Sequence, residues 1–193
     1  MGQYYKPVSV EKREHVYSHS YGSGLKLMEH SWLTNGFVGI VEDLIAEGGA
    51  WHGDKIVWAG DYADEEKNRK SNLYTLCKTQ IRPRETKNKY RYVINMDTKE
   101  FVDTKKVPLS DVYTDEKGKQ WPFTIHPLPL LTCEGNGRGG GDFRKEDDLV
   151  GKWARNRVTV STRKPKGYTE IEFNLFEGDE PAEFKKKSQT VNS

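Results

Sequence analysis

The sequence predicts an α+β, strand-dominated fold in which about three β-hairpins build a sheet and one amphipathic helix packs on it. Three observations carry that expectation. Short runs rich in Val, Ile, Tyr and Phe alternate with polar residues and end at Gly, Asp or Asn, the period-two pattern of strands. One stretch, LTNGFVGIVEDLIAEGG, repeats at helical spacing instead. The 193 residues are 34% hydrophobic and 31% charged, enough for one domain with a modest core and too few for a second large one.

The chain opens with QYYKPVSV, a charged tip at Glu11 to Arg13 and a return strand at His15 to Tyr17, which together predict a hairpin. In the helical stretch, Phe37, Ile40, Val41, Leu44 and Ile45 share one face and Glu42 falls on the solvent side. Thr34 or Asn35 suits the N-cap, and Gly48 suits a left-handed end. DKIVWAG reads as a short buried strand ending in the turn residues Gly60 and Asp61. Residues 72–77 fit a helical turn or a strand equally. KYRYVINMDTKEFVD alternates around Asp97 and Thr98 as a second hairpin.

Residues 104–122 are polar and read as a loop. WPFTIHPLPLL is apolar but carries Pro122, Pro127 and Pro129, so neither a helix nor a central strand runs throughout it. RVTVST and YTEIEFNLF, joined by RKPKG, predict the third hairpin. Residues 1–176 form the single domain, and the tail 177–193, poor in core-forming side chains, is expected to fray. Comparison of the chain with itself offers two pseudo-repeats, 1–88 and 89–176. Glu11 to Tyr17 echoes Asp97 to Asp103, and Gly49-Ala-Trp51 echoes Gly151-Lys-Trp153. The alternative is that hairpins look alike in any β-rich chain.

Charge excludes the extremes, since 31 basic and 29 acidic residues leave +2 and the mean hydropathy is -0.87. Neither an overall polyanion binder nor an acidic solvating chain fits. No stretch reaches the roughly 20 apolar residues of a spanning helix, and MGQYYKPVSVEKREH lacks a signal-peptide core. Cys77 and Cys133 are too isolated for a disulfide framework or a zinc site, so the expectation is a cytosolic protein with free thiols, no membrane contact and no assigned metal or cofactor.

The candidate ligand loop is LLTCEGNGRGGGDF. Glycine permits close approach and positive φ, so the amides around Asn136, Gly137, Gly139 and Gly140 can converge on an anion, with Arg138 adding a bidentate fork. The Lys-Ser or Lys-Thr end of a phosphate-binding P-loop is missing. Asp61 and Asp64, at a predicted strand end, are further ligand-binding candidates. His126, with Glu134 and Asp142 downstream, has the groups for general acid–base catalysis, although a histidine between apolar residues is commonly structural. Between Leu149 and Thr169 lie Lys152, Arg155, Arg157, Arg163, Lys164 and Lys166 and no acid. Strand alternation puts Arg155, Arg157 and Arg163 on one face and Val158 and Val160 on the other, a stripe suited to phosphates or to protecting a solvated edge strand. Arg82, Arg84, Lys87, Lys89 and Arg91, interleaved with Tyr90 and Tyr92, extend it for stacking on bases.

The strings MGQYY, GLKLME, DKIVWAGDYAD, NLY, GNGRGGGD and VGKWARNRV span most of the first 160 residues. In these strings the chain resembles a family of uncharacterised bacterial and phage-encoded proteins. The resemblance implies a cytosolic protein of mobile elements, with host–virus conflict as its arena, and brings no activity with it. Three functions are therefore expected in turn: a binder of a phosphate-bearing ligand, nucleotide or nucleic acid; a hydrolase or nuclease built on His126; and a phage inhibitor of anti-CRISPR type that contacts a host ribonucleoprotein.

Overall fold

The computed structural model describes residues 2–86 and 89–184. Its strands are β1 (Tyr5–Ser9), β2 (Glu14–Val16), β3 (Lys55–Gly60), β4 (Thr79–Ile81), β5 (Tyr92–Asn95), β6 (Glu100–Asp103), β7 (Asp111–Thr114), β8 (Gln120–Phe123), β9 (Cys133–Glu134), β10 (Asn156–Ser161) and β11 (Thr169–Glu170). The helices are α1 (Leu27–His30), α2 (Gly36–Ile45), α3 (Leu73–Leu76) and α4 (Pro127–Thr132). The fold is α+β and strand-dominated. The main sheet runs β11-β6-β5-β10-β3-β1-β2-β4, with β9 also paired to β3, and β7-β8 is a separate ribbon.

The strand β3 is central because its sequence is apolar on both sides. Ile56 and Trp58 face the main core under α2 and α4, while Val57 and Ala59 pack with Val8, Leu73 and Cys77 on the opposite face. The first two predicted hairpins form as expected, with Val8 opposite His15 and Ile94 opposite Phe101. Asn35 caps α2 by accepting from Phe37 N, and Gly48 takes φ +81° just beyond its end. The expected stripe is buried, but Glu42 on the side assigned to solvent is buried as well, with His126, the N-cap of α4, hydrogen-bonded to it.

The third hairpin is not the predicted one. Strand β10 pairs with β3 at Asn156 and Arg157 and with β5 from Val158 to Ser161, not with the segment that follows it; RKPKG crosses over and β11 pairs parallel with β6. The hairpin lies instead in residues 104–122, where β7 and β8 are joined by a turn in which Asp115 accepts from Lys117 N and Lys119 N and Gly118 takes φ +72°. The proline-rich segment divides as its chemistry requires: Pro122 sits in the ribbon, and Pro127 opens α4 behind the N-cap His126. The described part of the tail is tied to the body, with Glu177 N donating to Ser110 Oγ and Ala182 N to Leu109 O. Among the described residues, no helix is long and apolar enough to cross a membrane. Cys77 and Cys133 are free and buried, and burial pushes the Cys133 thiol up to about 12.

Candidate functional site

The candidate site forms where the end of β3, the N-terminus and the glycine loop after β9 meet. Asp61 and Tyr4 exchange two hydrogen bonds, with Tyr4 N donating to Asp61 Oδ1 at 3.0 Å and Asp61 N to Tyr4 O at 2.9 Å. Asn72 steadies this turn by donating to Asp61 O and Ala63 O. Gly2 bridges to Gly140, and Gln3 lies fully buried between Gly60 and Gly135, where a Cβ at either glycine would stand 2.3 Å from Gln3 Nε2. That contact explains why both positions are glycine. On the loop's other side Met28 N donates to Gly141 O, which brings in α1. The strings MGQYY, GLKLME, DKIVWAGDYAD, NLY and GNGRGGGD therefore each contribute to one constellation.

The amides of the glycine loop do converge, but on a carboxylate of the chain itself. Asp142 Oδ2 accepts from Gly137 N at 3.1 Å and Gly139 N at 2.8 Å, and its Oδ1 accepts from Tyr5 OH at 2.7 Å. Burial, and then the Asp142 carboxylate, hold the Tyr5 phenol well above its ordinary range, so it remains a donor. Asn136 is turned inward, exchanging two bonds with the Phe143 backbone. Gly140 gives its carbonyl to Gln3 N. The concavity assigned to an external anion is filled by Asp142, with 7% of that residue exposed.

Arg138 points outward. Its Nη1 donates to Tyr62 O at 2.8 Å and its Nη2 pairs with Asp64 at 2.7 Å, with the arginine side chain 49% exposed. It separates two open depressions. One, of about 300 Å³, is lined by Asp64, Glu134, Gly135, Arg138 and Arg155. The other, of about 800 Å³, is lined by Gly137, Arg138, Arg144, Lys145 and the acids at 146–148. Among the described residues, no group of three His, Cys, Asp or Glu side chains is placed to hold a metal ion.

The catalytic grouping is not assembled. His126 is 1% exposed; its Nδ1 accepts from Leu128 N at 3.1 Å and its Nε2 meets Glu42 Oε1 at 3.0 Å. Because Nδ1 is an acceptor, Nε2 carries the proton and donates to Glu42. Both nitrogens are spent in the core, whereas Glu134 is engaged by Arg155 and Asp142 by the loop.

The basic run is largely neutralised. Arg157 pairs with Asp97 at 2.6 Å, Lys152 with Glu100 at 2.9 Å and Lys164 with Glu170 at 3.2 Å. Val158 and Val160 face inward as the alternation requires, but Arg155 precedes the strand at φ +65° and turns toward Glu66 and Glu134. Those carboxylates raise the Arg155 pKa further. Arg163 and Lys166 have no ion pair among the described residues. In the second basic segment Lys89 pairs with Asp43 and Arg91 with Asp103, Arg82 donates to Ser20, and Tyr92 is core; Lys87 lies outside the described residues. Sequence reasoning missed Gln3, Tyr5 and Glu66. The first two stand in the MGQYY string, while Glu66 is hidden in a polar run. No protein-family model, curated protein or solved structure matches the chain.

Proposed function

We propose that the chain is a binding protein for a phosphate-bearing small ligand, a nucleotide, received beside Arg138. One observation supports this reading: a half-exposed guanidinium, oriented by Tyr62 O and Asp64, stands between two depressions with part of its fork of donors open to solvent. Arg144 and Lys145 line the larger depression with it, next to the acids at 146–148. A nucleotide is favoured over a nucleic-acid strand because the basic run that would track a backbone already holds carboxylates. Catalysis through His126 is not part of the proposal, since neither of its nitrogens faces a depression.

The test is the thermal midpoint of the intact chain with ATP, GTP, inorganic phosphate, and short RNA and DNA at low salt. A ligand that binds only the folded state raises the midpoint. The expected result is a rise with a nucleotide, with affinity falling on the order of tenfold in Arg138→Lys because a point charge cannot replace the fork. No rise with any nucleotide, or full affinity in Arg138→Gln, overturns it. A rise with RNA or DNA alone replaces the small ligand with a strand.

A further inference from the structure

The two halves of the sheet answer one another residue by residue. Strands β4-β2-β1-β3 mirror β11-β6-β5-β10, the outermost pair being parallel in each case. Val8 lies between His15 and Val57, and Ile94 lies between Phe101 and Thr159. Glu14 is opposite Thr79 as Glu100 is opposite Thr169. Glu14 accepts from the Trp51 indole at 2.8 Å, and Glu100 accepts from the Trp153 indole at 2.9 Å. Lys55 N donates to Glu11 and Arg157 N to Asp97, each at 2.7 Å. Lys55 and Arg157, equivalent by all these relations, are paired with each other.

Two departures from this correspondence lie side by side. Between helix and tryptophan the first half runs from Leu44 to Trp51, whereas the second runs from Leu131 to Trp153 and is 15 residues longer. The extra length is the glycine loop and its return. Two positions after each tryptophan the backbone is left-handed, with φ +84° at Gly53 and +65° at Arg155. Glycine is the residue that adopts this conformation without strain, and the first half uses it.

We propose that Arg155 is a positioning residue that latches the glycine loop onto the first half, at a backbone position where the architecture otherwise calls for glycine. Its Nε and Nη2 engage the two oxygens of Glu134, at the root of the loop, and its Nη1 and Nη2 engage those of Glu66, beyond the Asp61 to Asp64 turn. The guanidinium thus ties together the segments that meet again at Arg138, and it lines the smaller depression. This latch rests on the nucleotide reading only for its effect on affinity.

Hydrogen exchange and ATP titration on the intact chain test it with Arg155→Gly and Arg155→Lys. Arg155→Gly removes the latch and relieves the backbone, so its melting midpoint stays close to wild type, while exchange at 61–66 and 134–142 rises at least tenfold and ATP affinity falls at least tenfold. Arg155→Lys, which keeps the charge but loses both forks, shows the same confined rise. Unchanged exchange in these segments, or a rise spread evenly over the sheet, overturns the latch. A confined rise in a protein that binds no ATP upholds the latch and removes the nucleotide reading alone.

Discussion

Asp142 gives the glycine loop the anion around which its amides close. Removing it leaves two amides without this acceptor and the Tyr5 phenol with Gln3 Oε1 alone, so Asp142→Ala should cost about 2–3 kcal/mol, read by urea unfolding. A histidine sets the acid limit of the fold in a comparable way. His30 Nδ1 donates to Gly24 O and its Nε2 accepts from the Trp58 indole, an acceptor role only the neutral ring can play, and burial drives its pKa down to about 4. Because the unfolded histidine titrates near 6.5, this contribution is complete above that pH and declines as the pH falls from about 6.5 to about 4. Melting midpoints across that window should fall less in His30→Gln, whose amide both accepts and donates. His15, also lowered to about 4 by burial and then by the Lys6 charge, adds to the same decline.

Among elements, α2 was the most legible because its stripe, cap and terminal glycine agree. Leu44→Ala should destabilise by about 2–5 kcal/mol through lost burial and a cavity. Glu42→Ala should also destabilise, by about 1–3 kcal/mol, because it strands the buried His126 N–H. The same urea series measures both, and a silent Glu42 variant would contradict the His126 contact. The helical stripe could not reveal this, since periodicity shows which side is apolar and not that a buried histidine from a distant segment meets the polar side. Likewise RVTVST looked like half of a hairpin, and its strand character was correct. Which strands flank it depends on partners some 60 and 100 residues away in sequence, at Tyr92 to Asn95 and Lys55 to Ile56. The glycine loop was legible as an amide concavity, but its occupant, a carboxylate within the loop, followed only from the fold.

Across the whole molecule the correspondence between halves has an energetic consequence. Glu14→Ala and Glu100→Ala each strand the indole N–H of a buried tryptophan, so each should cost about 1–3 kcal/mol and the pair should add within about 0.5 kcal/mol. Urea unfolding followed by tryptophan fluorescence measures all three, and a large loss from one variant alone would break the correspondence. The basic run belongs to this scale as well. Its charges read as a surface for phosphate until the fold supplies Glu66, Asp97, Glu100 and Glu170 from elsewhere in the chain.

The seam between β3 and β10 holds two residue pairs, Ile56 with Asn156 and Lys55 with Arg157, after which β3 turns its free edge to β9. The two halves of this nine-stranded sheet are thus joined by only two residue pairs, as few as hold β1 to β2 or β11 to β6. A twist of one half against the other about that seam therefore stretches few ladder bonds. Glu66 and Glu134 are drawn together by the guanidinium of Arg155, the residue just before the seam, so the latch adds cross-links at the point where the backbone ladder between the halves is short.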